Sequence, residues 1–151
     1  MTSRKAGAAN IRRAARGGAR LTFIAWRSPA ENPFMTTGSR AAASLLPNLP
    51  APNPDAPGQF AFANGDKVRR ILDASGWKDI EVRPIDVPSN VAEKDLLTYA
   101  TKLGPVGQAL RDADEPTRAR TAEALRVAFA PYIENGAARY TAACWLVSAR
   151  G

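Results

Sequence analysis

The chain has 151 residues, enough for one domain with a buried core, and its 45% hydrophobic share fits a globular protein rather than a disordered one. It contains no histidine and a single cysteine, Cys144, which excludes histidine triads, imidazole metal clusters and any internal disulfide, and fits a reducing, cytoplasmic setting. The net charge is +7, and no apolar run approaches the roughly 20 residues that a membrane-spanning helix needs, so no membrane partner is expected.

The first element is basic. Arg4, Lys5, Arg12, Arg13, Arg16 and Arg20 fall in the first twenty residues with no acidic side chain among them, and the rest of the chain is close to neutral. Such a segment can be a transit peptide or a phosphate-binding arm. The solvated face of a surface helix is the simpler reading, and no aromatic residue interleaves the arginines as single-strand binding would want. Ala8, Ile11 and Ala15 form its apolar stripe, and Gly17-Gly18 stops it, giving a basic N-terminal helix over 1–18.

A strand follows over 21–26. Leu21, Phe23 and Ala25 lie on one face and Ile24 and Trp26 on the other, the signature of an interior strand covered above and below. Residues 28–65 form a proline-rich loop or lid with few periodic signals. Pro47, Pro50, Pro52, Pro54 and Pro57 crowd together there, and Ala41 to Leu46 is predicted as a short helix. "PNLP" at 47–50 matches a P-x-x-P pattern, for which a stiff surface loop is the simpler explanation.

A helix over 66–75 comes next. Asp66 is its predicted cap, Val68, Ile71 and Leu72 share a face, and Gly76 is placed to close it in a left-handed conformation. Ile80-Glu81-Val82-Arg83 then alternates as an edge strand would, within a strand over 79–87. Residues 88–138 are predicted as a helical insertion. Short helical pieces run over 94–103 and 106–111, and a firmer helix over 117–133 has Leu125, Ala128, Phe129, Tyr132 and Ile133 on one face and Pro116 in its first turn. The last strand, 139–149, is apolar on both faces.

Three strands therefore emerge. The last is expected between the other two, which leaves the 21–26 strand with a neighbour on one side only. An exposed apolar edge is a liability that folded proteins avoid, so the sheet looks unfinished.

"ANIRRAARGGARLTFIAWR", "NPF" at 32–34, "GQFAFANGDKVRRILDASGWKDIEV" and "AACWLVSAR" together resemble the C-terminal half of a class I S-adenosylmethionine-dependent methyltransferase of the small-molecule type, related to the ubiquinone and menaquinone methyltransferases. The family's "RPGGRL" proline is missing before Gly17. The resemblance runs from about Ala8 to the end. It implies an α/β fold, the C-terminal part of a doubly wound, Rossmann-like sheet in which the last strand is antiparallel and central, with a helical lid insertion. The whole of 1–151 would then be a single partial methyltransferase domain.

It also implies methyl transfer from S-adenosylmethionine to a small-molecule acceptor in intact relatives. Trp26, Asn32, Phe34 and Met35 follow the C-terminal end of the first strand, where open α/β sheets place ligands. With Tyr99 as a lid residue, they are the candidate substrate-pocket residues. Tyr132 is assigned to the core from its helix face. No catalytic residue and no metal site are assigned. The glycine-rich D-x-G-x-G-x-G cofactor loop does not occur, and Gly104-Pro105-Val106-Gly107 is too short and lies in the insertion, so no cofactor-binding residue is carried over. The chain alone is expected to bind no cofactor and to be inactive.

Two other readings stand beside this one. A non-catalytic interaction module, or a gene remnant, would meet a protein partner or a second copy through the strand Leu21–Trp26. A small basic nucleic-acid-binding domain would use the N-terminal arginines, and a nucleic-acid partner is the less favoured of the two.

Overall fold

A computed structural model describes residues 3–51, 53 and 56–151, without the side chains of residues 3 and 4. Pro52 and Pro54 of the proline cluster, and the side chain of Arg4, lie outside the described residues. The architecture is mixed α/β: an open antiparallel four-stranded sheet with several helices. Among the described residues, no helix is long and apolar enough to cross a membrane.

The strands are β1 (Arg20–Trp26), β2 (Lys78–Ala92), β3 (Ile133–Glu134) and β4 (Ala137–Arg150). Their order is β1-β4-β2, with β3 paired to β4. The last long strand is therefore central, as its two-sided apolar pattern requires. β1 runs antiparallel to β4 in a register that sets Phe23 against Val147 and Trp26 against Cys144.

The helices are α1 (Ser3–Ala14), α2 (Pro33–Ala42), α3 (Gly65–Asp73), α4 (Glu93–Lys102), α5 (Gly104–Ala109) and α6 (Glu115–Phe129). The chain divides into two compact units. The first takes its described residues from Met1–Glu31, Pro54–Val87 and Ala143–Gly151, and the second from Asn32–Asn53 and Pro88–Ala142.

In the first unit, Val68, Leu72, Trp77, Val147 and Ala149 are buried, and Leu21, Phe23, Ile80 and Val82 pack against them from the sheet. Helices α1 and α3 cover this face. Trp77 is 1% exposed. Its indole N–H donates to the Ala8 carbonyl (3.2 Å), and the Arg12 guanidinium lies 5.7 Å from its ring centroid. The inward-facing, partly buried stripe of α1 is thus Ala8 and Ala15 with the Arg12 stem between them. Ile11, expected on that stripe, is 54% exposed. The guanidinium satisfies itself by donating to the Gly76 carbonyl (3.2 Å), which lets an arginine lie along an apolar surface.

Helix α3 is capped by Asn64, whose side chain accepts from the Lys67 amide (2.9 Å). The predicted cap, Asp66, sits inside the first turn instead, because the helix opens one residue earlier at Gly65. Gly76 closes the segment at φ 85°, as expected, and Gly18 turns the chain after α1 at φ 77°. β2 runs to Ala92, beyond the expected end at 87. It is an edge strand, so the missing N–H groups of Pro84 and Pro88 need not break its pairing with β4.

The second unit buries Phe34, Leu96, Val106, Leu125 and Phe129 in one cluster, with Leu125 fully enclosed. Helix α2 occupies 33–42, whereas the sequence pattern put a short helix at 41–46. Pro33 starts it, and the Thr36 and Thr37 hydroxyls donate back to the Pro33 carbonyl. Helix α6 begins with the Asp114 side chain accepting from the Thr117 amide (2.8 Å), and Pro116 lies in its first turn as expected. It ends at Phe129 rather than at 133, because Pro131 follows in a short 3-10 turn and cannot continue the α-helical ladder. Ile133 belongs to β3, which meets β4 through a two-residue turn, Asn135 (φ 51°) and Gly136 (φ 77°).

The cap assignment has a measurable consequence. Asn64→Ala is expected to lower stability in urea denaturation by about 1 kcal/mol, the usual cost of losing an N-cap side chain, and Asp66→Ala to lower it by less.

Candidate functional site

Chemistry-bearing side chains gather in two places, one in each unit. In the first unit the chain leaves β1 at Trp26 and Arg27. Trp26 is half-buried and faces Cys144 across the ladder. The Arg27 side chain is 14% exposed, and its guanidinium donates to Glu31 (2.9 Å) and Asp86 (3.0 Å) while lying 5.9 Å from the Trp145 ring centroid. The Trp145 indole N–H donates to the Ala63 carbonyl (2.8 Å). The Ser28 hydroxyl donates to Glu31 (2.7 Å). That bond is the main reason the Glu31 carboxyl titrates below the ordinary glutamate value; burial opposes it, and the Ser28 amide and Arg27 add to it.

Both carboxylates of this group are well exposed and Arg27 is spent between them. The cluster is an ion-pair clamp at the strand end. Cys144 beneath it is buried, and burial pushes its thiol above the ordinary value, with Arg27 opposing and Asp86 adding. A buried, un-ionised thiol is a poor nucleophile.

The second unit holds the other candidates. Asn32 is 1% exposed and precedes α2, where its carbonyl accepts from the Met35 amide (3.1 Å). Phe34 is buried at the centre of an aromatic group. It stacks on Tyr140 (centroids 4.0 Å, planes 4° apart), meets Tyr132 edge-on (5.0 Å) and tilts against Phe129 (5.2 Å). Met35 packs on the same core. Tyr99 on α4 is 47% exposed. Burial raises the Tyr140 phenol above its ordinary pKa, the Tyr99 phenol adds to the shift, and a hydrogen bond with Ser89 opposes it.

The structure thus places Asn32, Phe34, Met35 and Tyr99 in one unit and Trp26 in the other. Phe34 and Met35 are committed to packing, whereas Tyr99 presents its ring to solvent. Tyr132 packs on this core, and its hydroxyl lies 3.5 Å from that of Thr37. Tyr140, Ser89 and the Arg27–Glu31–Asp86 clamp went unread in the sequence. Only the Arg27/Glu31 spacing of four residues gave any local sign of them.

A separate concavity of the second unit is an open groove of about 630 Å³. It is lined by Thr101, Lys102, Arg111, Glu115 and Arg118 among others. Arg118 is already engaged there, donating to the carbonyls of Leu110 and Arg111.

No protein-family model and no curated protein matches this sequence.

An S-adenosylmethionine site needs backbone free of side chains between a strand and a helix N-terminus, and an acid for the ribose hydroxyls. The glycines with close neighbours do not fit that need. Gly65 opens α3 but is packed on Trp145 and Val82, each 3.3 Å from where a Cβ would stand, and Gly107 lies against the Lys102 backbone. Neither of these two glycines offers such open backbone. Among the described residues, no group of three or more acidic or cysteine side chains could hold a metal ion.

Because Tyr140 ionises above the unfolded tyrosine value, its protonated form is favoured in the folded state. Its contribution is complete below about pH 10 and is lost as pH rises through the raised folded value. Stability measured by urea titration is expected to fall over that alkaline window. Tyr140→Phe is expected to flatten the fall.

Proposed function

We propose that this chain is the C-terminal, acceptor-side part of a small-molecule S-adenosylmethionine-dependent methyltransferase scaffold, and that it transfers no methyl group by itself. One observation carries the reading: the final long strand is inserted antiparallel between β1 and β2, and the outer edge of β1 has no strand partner among the described residues. The resemblance implies that arrangement for the family's fifth, seventh and sixth strands, with earlier strands continuing the sheet beyond the fifth.

The sheet surface adds support. The face bearing Leu21 and Phe23 is covered, but on the opposite face Ile24 is 59% exposed beside Thr22, Leu146, Ser148, Glu81 and Arg83. An interior strand of a doubly wound sheet would have a helix layer on that side. The residues 28–65 and 88–138, assigned by resemblance to the substrate lid, contribute most of the second unit, with its own aromatic core and the exposed Tyr99.

Methyl transfer asks a protein chiefly to align an acceptor with the sulfonium and to exclude water. In this reading the chain supplies the acceptor side: Tyr99 gives a solvent-exposed aromatic surface, and the Phe34 cluster forms the core of the same unit. The cofactor side would come from residues outside this set. The lone cysteine fits a cytoplasmic location.

Calorimetric titration of the chain with S-adenosylmethionine is expected to give no heat of binding. A fusion that places a glycine-rich, doubly wound N-terminal half ahead of Ser3 is expected to bind the cofactor at micromolar concentrations. Micromolar binding by the chain alone, or a well-folded fusion that binds nothing, overturns the proposal.

A further inference from the structure

We infer that the outer edge of β1 is a pairing surface for a second copy of this chain, joined antiparallel about a two-fold axis at Phe23. The inference concerns the 151-residue chain alone and does not rest on the methyl-transfer reading, in which earlier strands take this same edge: the second copy pairs there in their place. It starts from the direction of the backbone groups. In the β1–β4 register, the Arg27 amide donates to the Ala143 carbonyl (2.9 Å) and the Gly151 amide donates to the Ala19 carbonyl (2.7 Å). These bonds flank β1 and fix its phase. Leu21, Phe23 and Ala25 turn their N–H and C=O groups toward β4, so Arg20, Thr22, Ile24 and Trp26 turn theirs outward.

The two edges of the sheet are built differently. β2, on the far edge, begins with Lys78, has Asp79 at φ 48° and carries Pro84 and Pro88, the devices that keep an edge from recruiting another strand. β1 shares only the charged first residue, Arg20, and has neither the prolines nor the positive φ. Its seven residues contain no proline, no glycine and no positive φ, and its one charged residue stands at the end. A row of backbone groups with no strand partner among the described residues, flanked by Leu21, Phe23 and Ile24, is left open to pairing.

The strand is also complementary to itself. A two-fold axis at Phe23 sets Thr22 opposite Ile24 of the second copy and Arg20 opposite Trp26. These are the residues whose backbone groups point outward, so each outward N–H meets an outward C=O. Phe23 meets its own copy in the close, non-hydrogen-bonded pair, and Leu21 meets Ala25, which continues the apolar layer across the axis. The only charges, the two Arg20 guanidinium groups, are held at opposite ends of the strand pair, each beside an indole ring. An isologous contact of this kind closes on itself and yields a dimer rather than a fibre.

The test uses the 151-residue chain. Sedimentation velocity over a concentration series is expected to show a monomer–dimer equilibrium. Amide hydrogen exchange followed by NMR is expected to show protection at Thr22, Ile24 and Trp26 that rises with concentration, while Leu21, Phe23 and Ala25 stay protected throughout. Ile24→Lys puts a charge beside the axis at an already exposed position and is expected to give a monomer with an unchanged circular dichroism spectrum. Thr22→Pro removes an outward N–H and is expected to do the same. A wild-type monomer at every concentration overturns the inference, as does a chain that associates only with an added protein. So does a dimer whose Thr22 and Ile24 amides exchange freely, or one that survives Ile24→Lys.

Discussion

The first unit depends on the hydrogen-bond ladder of β4. A central strand must satisfy its backbone groups on both flanks and tolerate cover on its faces, and the sequence from Ala143 to Ala149 meets both demands with small or apolar side chains. Val147 is fully buried, and Ala143, Cys144 and Ala149 nearly so. Small side chains let neighbouring elements approach closely. The clearest case is Trp145, whose ring sits against Gly65 at the opening of α3. A β-carbon at Gly65 would meet both the indole and Val82 at 3.3 Å. The Asn64-Gly65 pair therefore serves two constraints at once, a capping side chain and a backbone able to come near the sheet.

The strands were legible because their apolar patterns are strong, and the central place of the last one follows from its two faces. α3 and the closing role of Gly76 were legible for similar local reasons. The errors have local causes as well. Asn64 and Asp66 both offer a capping oxygen, and only the position of the first turn separates them. The end of α6 lay at Pro131, which the apolar face running through to Ile133 obscured. α2 leaves little trace in the sequence because Thr36, Thr37, Gly38 and Ser39 carry little helical propensity. That helix is held from outside: Gly38 faces Leu125 and Phe129, and Phe34 is inserted among three rings.

The candidate site was less legible than the fold, and sequence distance explains why. Phe34 meets partners at 129, 132 and 140, and Arg27 meets Asp86. None of these pairings leaves a periodic signal. Asn32, Phe34 and Met35 stand out in the sequence by their place after a strand, which identifies a region without distinguishing a ring that packs from one that waits for a ligand. Burial makes that distinction, and it assigns Phe34 to packing and leaves Tyr99 accessible.

The two-residue turn at Asn135 and Gly136 bears on how the molecule reaches its native state. Positive φ at both positions is the geometry whose twist matches two antiparallel strands, and Asn-Gly is the dipeptide that adopts it most readily. Glu134 and Ala137 are thereby brought together by neighbours in the chain, with very little loop entropy to overcome. The pairing partners of β4 at β1, by contrast, lie more than a hundred residues away. The hairpin can form first and fix which side chains of β4 face which way before those distant strands arrive. A slip of one residue there would turn Val147 outward and bring Leu146 into its place.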